Sequence, residues 1–307
     1  MRRVLCLFLF TATACCFLTG CGAGRQAYKP VPRHDLPTQY DGMTLVWHDE
    51  FNVDSRPGPD WSYELGFVRN QEHQWYKEEN CFVENGVLVL EARKEIVENP
   101  NYDPNAPARD WKRSRKVAEY TSGSVNTRNS FTFKYGKLEV RAKISVEKGS
   151  WPAIWTLGNR WGWPFCGEID VMEYYLVRDT PTILANAAWG SENGGSKWRT
   201  THHPLSRFLE KDPDWVEKYH VWTMDWSPER LVLLLDGEVL NVVDLSETVN
   251  GGFRGNTENP FSNDHPDFAH YILLDYAIGG QNGGDPSGSN WPQRYCIDYV
   301  RVYQNSK

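Results

Sequence analysis

The chain of 307 residues is short of positive charge, of sulfur and of long apolar runs. A formal net charge of −7 supplies no basic face of the kind nucleic-acid binding needs, so a nucleic-acid partner is excluded. No apolar run approaches the roughly 20 residues of a spanning helix, which excludes a multi-pass membrane protein. The 7 cysteines contain no CxxC pair, so neither a zinc ribbon nor a redox motif is supported. Helical periodicity is scarce as well, appearing weakly only near Leu205 to Glu217. Aromatics are what the chain has in excess: 14 Trp, 15 Tyr and 13 Phe. That is more indole than a core of this size needs, so some of it should be exposed to bind flat apolar faces. With 40% apolar and 24% charged residues, one sizeable core is expected.

Arg2 and Arg3 precede an apolar run from Val4 to Leu18, which has the layout of an export signal. Leu18-Thr19-Gly20-Cys21 resembles the lipobox of bacterial lipoproteins, with an ordinary secretory signal as the alternative. The expected division is a signal peptide over residues 1–20, a proline-bearing tether over 21–40, and one domain over 41–307. Lipidation of Cys21 would anchor the exported chain to a bacterial membrane, on the periplasmic side or at the cell surface, as a monomer. Cys81, Cys166 and Cys296 then remain, enough for at most one disulfide.

Strand signals fill the rest. Two apolar runs flank Asn85-Gly86 between Val83 and Ala92, and two more flank Asp236-Gly237 between Leu231 and Val243; both read as hairpins. Leu138, Val140, Ala142 and Ile144 alternate onto one face, and the chain closes on a strand from Tyr295 to Tyr303. Residues 98–117 read as a surface insertion between strands. The string of short strands predicts an all-β fold, a jelly-roll sandwich in one domain.

The chemistry lies in Glu168-Ile169-Asp170-Val171-Met172-Glu173. On a regular strand Glu168 and Asp170 share a face, whereas Glu173 has the wrong parity. One extra residue in a bulge near Val171-Met172 would bring Glu173 back to the face of the other two. Like charges on one strand face are mildly destabilising, so the cluster asks for a reason. Retaining glycosidases supply one: they need a nucleophilic carboxylate and an acid/base carboxyl about 5–5.5 Å apart. A third carboxylate between them can help hold a proton on the acid.

This segment resembles the signature of glycoside hydrolase family 16 in its bulged, laminarinase-like form. The resemblance covers residues 44–304, with Asp49-Glu50-Phe51, Asn70 through Tyr76, Tyr120 through Gly123, Gly149 through Trp155 and Asp298 through Tyr303 as further matches. It implies a concanavalin-like sandwich with an open cleft on its concave sheet, and endo-acting retaining hydrolysis without a catalytic cofactor. Carried over, Glu168 is the nucleophile, Glu173 the acid/base and Asp170 the assisting carboxylate. Trp151, Trp155 and Trp163 are implied as sugar-stacking residues, with Trp155 on the cleft floor, and Asn70, Glu72 and Arg128 as hydroxyl partners. A structural Ca²⁺ is implied at Glu50, Gly86 and Asp298, on the far side from the cleft. His202, His203, and His265 to His270 lack a metal spacing and read as surface loop residues; Gly279 to Asp285 reads as a flexible cleft wall.

The substrate stays open at this stage. Many laminarinase-like members carry His-Trp-Gly where this chain has Ala188-Trp189-Gly190. The leading expectation is an endo-hydrolase of β-1,3- or mixed β-1,3/1,4-glucan. The alternative is an endo-β-1,4-galactosidase of mucin O-glycan, poly-N-acetyllactosamine, keratan or galactan chains. From another class, a glycan-binding lipoprotein would keep the tryptophans without turnover.

Overall fold

The computed structural model describes residues 39–306. The signal over 1–20, Cys21 and all but the end of the tether lie outside those residues. Two sheets make up the described chain. The smaller has seven strands, in the order Ser196–Pro204, Thr180–Gly190, Glu168–Val177, Ser150–Gly158, His270–Ile278, Ser124–Asn126 and Ser62–Tyr63. The larger has ten; its middle is Gly136–Lys143, Gln293–Asn305 and Val87–Glu98, each hydrogen-bonded to the next. Pairing is antiparallel throughout except between Gln74–Tyr76 and Val117–Ser122. Strands far apart in sequence lie side by side, as His270–Ile278 does against Ser150–Gly158, and these long crossovers are the mark of a jelly-roll sandwich.

The core forms where the two inner faces meet. Leu138, Val140 and Ala142 come from the larger sheet, and Ile154, Ile169, Ile183, Ile272 and Leu274 from the smaller. All eight are fully buried. Both expected hairpins are present, and their turns have positive φ at both central residues: Asn85 55°, Gly86 76°, Asp236 48° and Gly237 82°. This geometry matches the twist of the flanking strands, and Asn, Asp and Gly adopt it most readily.

The weak helical signal near 205–217 corresponds to one short helix, Ser206–Leu209, and a 3-10 turn, Trp215–Glu217. The insertion over 98–117 is present and carries the helical turn Trp111–Ser114. It docks through Arg115, whose guanidinium donates to the carbonyls of Gln71 and Glu72.

The histidine reading needs correction. His202 and His203 are on the Ser196–Pro204 strand, and His270 is fully buried at the start of another. Its Nδ1 meets Thr156 Oγ1 at 3.0 Å and its Nε2 meets the Pro260 carbonyl at 3.0 Å, among Trp226, Phe261 and Phe268. Burial drives its pKa down to about 4, so it is a neutral core residue. Cys81 and Cys166 are buried thiols pushed up to about 12 by the same desolvation.

On the outer sheet, Arg301 is 1% exposed and holds Glu50 bidentately at 2.8 and 2.7 Å, with its guanidinium over the Tyr299 ring. Arg301→Ala would take both guanidinium hydrogen bonds from Glu50, leaving it His48 at 3.2 Å, and would empty a fully buried site. We expect a loss of about 2–4 kcal/mol, read as a lower midpoint in urea unfolding at unchanged slope.

Candidate active site

The Glu168–Val177 strand carries the expected bulge. Its register with both neighbours slips between Asp170 and Glu173. Ile169, Val171, Met172 and Tyr174 all enter the core cluster, so two consecutive residues face inward. Asp170 and Glu173 therefore emerge on the same outer face as Glu168. Cross-strand rows extend that face: Glu168 lies between Ala188 and Leu157, Asp170 between Asn186 and Trp155, and Glu173 beside Ala153, with Asp275 one strand further on. Ala153, Trp155, Tyr271 and Leu273 form a second, smaller apolar cluster on this face, apart from the main core.

Indole N–H groups tie down the carboxylates. Trp163 Nε1 donates to Glu168 Oε2, and Trp151 Nε1 to Glu173 Oε1 at 2.8 Å. Asn186 Nδ2 bridges Asp170 Oδ2 at 3.1 Å and Glu173 Oε2 at 2.7 Å. Trp155 Nε1 donates to Asp275 Oδ1 at 2.7 Å.

Desolvation in this water-poor floor raises all three acids. Asp170 rises well above the carboxylate range, because burial is reinforced by the charges of Glu173 and Glu168. Burial also raises Glu168, but its hydrogen bonds with Trp163 and with the Asp170 carboxyl oppose the rise. Of the two, Asp170 is thus pushed toward the acid, and the hydrogen bonds favour the Glu168 anion. Glu173 is pushed up to about 7, chiefly by burial and against the Trp151 hydrogen bond. A carboxylate whose hydrogen bonds favour the anion, beside an acid/base carboxyl pushed up to about 7, suits nucleophilic attack paired with proton donation.

The other expected residues are distributed as follows. Trp163 is 54% exposed beside Glu168 and offers a stacking face. Trp151 is buried edge-on against Tyr175. Trp155 is on the floor, yet the Arg69 guanidinium covers its ring at 4.9 Å. Asn70 and Glu72 lie together, with Asn70 Nδ2 to Glu72 Oε1 at 3.3 Å. Glu72 is buried, accepts from Gln74 at 2.6 Å and is raised to about 8 by desolvation. Arg128 is exposed at the far end of the floor, over Tyr271 at 5.6 Å.

The glycine-rich wall is tied down at its first half: Gln281 N–H donates to the Asn70 carbonyl at 3.0 Å. A side chain at Gly280 (φ 67°) would come within 2.7 Å of that same oxygen. The expected calcium set does not fit a shared cation through its side chains. Arg301 holds Glu50, Arg141 holds Asp298 at 2.6 Å, and Gly86 N–H donates to Asp54. Among the described residues no cluster of three acidic, histidine or cysteine side chains gathers for a metal.

A family model described as glycosyl hydrolases family 16 matches residues 69–262. The chain belongs to that family. Family 16 relatives include a glucan endo-1,3-beta-glucosidase A1 of Niallia circulans, 28% identical over 89% of this chain and 41% of its own length. This chain thus spans well under half of that relative. A beta-glucanase of Rhodothermus marinus is 31% identical, with 85% of each chain covered. A keratan-sulfate endo-1,4-beta-galactosidase of Sphingobacterium multivorum is 31% identical over 85% of this chain and 55% of its own. Two solved structures are similar. One comes from work on endo-acting O-glycanases with which human gut microbiota initiate mucin breakdown; it is 33% identical, covers 88% and 93% of the two chains, and has a TM-score of 0.74. The other is the catalytic domain of an endo-1,3-beta-glucanase of Thermotoga petrophila, 34% identical with 86% and 99% covered and a TM-score of 0.68.

Family 16 is a family of retaining endo-β-glycanases, and the three carboxylates share one strand face here as such chemistry requires. Sequence reasoning missed Asn186, Arg69 and Asp275. Asn186 was within reach, since its parity on an alternating strand beside the acids is readable. Trp151→Phe removes a donor that favours the Glu173 anion. We expect Glu173 to titrate above 7 by roughly half to one unit, read from its ¹³C carboxyl shift.

Proposed function

We propose that this chain cleaves internal β-linkages of a glycan by retaining double displacement, and that the sugar at the cleavage point is galactose, in a mucin-type O-glycan or related lactosamine chain. Glu168 attacks the anomeric carbon while Glu173 protonates the leaving oxygen. Glu173 then takes a proton from water, which releases the glycosyl-enzyme. Asp170 keeps its proton on the Glu168 side and orients the nucleophile. Trp163 supplies an exposed indole beside the reacting centre.

The observation that carries the galactose reading is backbone similarity. At nearly equal identity, the chain follows the mucin O-glycanase structure more closely than the glucanase one, with TM-scores of 0.74 and 0.68. A second observation agrees with it. The cross-strand partner of Glu168 is Ala188, where many laminarinase-like members carry histidine, so a methyl group stands beside the nucleophile in place of an imidazole. The other reading, a β-1,3- or mixed-linkage glucan, is favoured by the names of the Niallia and Rhodothermus relatives. A non-catalytic binding role has the clustered Glu168, Asp170 and Glu173 against it, since binding alone gives no reason to bring three acids onto one strand face. We also propose export and lipid anchoring at Cys21, on the strength of Arg2, Arg3 and the Leu18-to-Cys21 segment.

The test is a product profile of residues 22–307 on laminarin, barley β-glucan, agarose, keratan sulfate and mucin O-glycans. Oligosaccharides from the mucin or keratan substrates are expected. Products from laminarin or barley glucan alone would replace galactose with glucose at the cleavage point. In either case Glu168→Gln should reduce product to background while leaving the circular dichroism spectrum unchanged.

A further inference from the structure

Asp275 is buried on the His270–Ile278 strand, in the same cross-strand row as Glu173. Only Ala153 stands between them, and its methyl group can neither donate nor screen. Asp275 accepts from Tyr76 Oη at 2.7 Å and Trp155 Nε1 at 2.7 Å, and the Arg69 guanidinium forms an ion pair with it at 3.7 Å. Burial raises the Asp275 carboxyl, and the Arg69 charge with the Tyr76 and Trp155 hydrogen bonds opposes that rise by favouring the anion. Nothing in the sequence marks it: Asp275 lies 102 residues past Glu173, on a strand whose other side chains are almost all apolar.

We propose that Asp275 is a fourth carboxylate of the active site, a positioning residue that anchors the Trp155 indole and whose negative charge, two strands from Glu173, helps keep the acid/base carboxyl protonated. This rests on the acid/base reading of Glu173. The groups facing Glu173 are Glu168, Asp170 and Tyr175 on its own strand, Trp151 on one neighbour, and Asn186 on the other with His202 beyond it. On the far side stand Asp275, then Arg69, Glu64, Glu72 and Tyr76. Arg69 is the one cation among these and is shared between Glu64 and Asp275, while Glu72 is largely protonated at neutral pH. The field at Glu173 from that side is therefore negative. The Asp275 charge acts in the raising direction on both Glu173 and Glu168.

The site contains its own reporters. The Trp151 indole proton is bonded to Glu173, the Trp163 proton to Glu168, and the Trp155 proton to Asp275, so each NMR resonance follows one carboxylate without any substrate. Asp275→Asn keeps an acceptor for Trp155 and removes the charge. The Trp151 resonance should then titrate roughly half to one pH unit lower, and the Trp163 resonance should move the same way. On an active substrate both limbs of the kcat/KM profile should slide toward acid. Arg69→Gln removes the opposing cation and should move the Trp151 titration upward. Tyr76→Phe, which takes away a donor but no charge, should not lower it.

An unmoved Trp151 titration in Asp275→Asn, with rate lost equally at every pH, would make Asp275 a packing residue and overturn the proposal. A downward shift in Tyr76→Phe as large as in Asp275→Asn would do the same. Full activity in Glu173→Gln would instead remove the acid/base reading on which the proposal stands. If Glu173→Gln is inactive and the reporter is unmoved, the proposal alone fails.

Discussion

Two adjacent side chains, Val171 and Met172, both point into the core, and the chemistry of the cleft depends on that irregularity. A strand that alternated without interruption would present Glu168 and Asp170 outward and bury Glu173. Placing an unpaired carboxylate in an apolar core costs several kcal/mol, so the unbulged register would be doubly penalised: one acid misplaced and one hydrophobic residue exposed. The bulge thus needs no special glycine or proline to hold it. Burial of two apolar neighbours keeps Glu173 on the cleft face, and the loss of local ladder bonding is small beside that burial.

Once three acids share one face, their protons must be divided. Burial raises all of them, and what separates them is the hydrogen bonds each accepts. Glu168 takes an indole N–H and the Asp170 proton, which favours its anion. Asp170 is boxed in by two other acids, and the single amide of Asn186 does not offset them. Glu173 falls between, with Trp151 and Asn186 donating against a strong desolvation. Donors thus set Asp170, the most buried of the three and bonded by one amide, apart from Glu168 and Glu173, which take two hydrogen bonds each.

Much of this was legible in advance because it is local. Hairpin turns are written in Asn85-Gly86 and Asp236-Gly237, and the bulge in the parity of Glu168, Asp170 and Glu173. The remainder was hidden because it is made by pairing across the sheet. Asp275 meets Tyr76 from 199 residues away and Trp155 from 120, and no spacing rule reaches that far. His270 misled for a related reason: its flanks, Asp267 and Pro266, look like a loop, yet the next residues are one of the most buried strands in the chain. The signal segment and Cys21 were legible only as sequence.

The tryptophans divide by task, which explains why so many are needed. Three near the reacting centre donate their N–H groups to three different carboxylates: Trp151 to Glu173, Trp155 to Asp275 and Trp163 to Glu168. An indole donates one hydrogen bond from a rigid, bulky, apolar plate, so it can fix a carboxylate while excluding the water that would lower its pKa. An asparagine or serine in the same place would bring polarity with the hydrogen bond. Trp155 has its ring covered by Arg69, and Trp151 is buried, so neither offers a free face to a sugar. The indoles that remain open are Trp163 at 54%, Trp161 at 55% and Trp198 at 45%, all on the Glu168 side of the sheet. The opposite side, with Arg69, Glu72 and Asp275, is charged and closed. The outer face of this sheet thus has apolar plates at one end and a buried ionic network at the other.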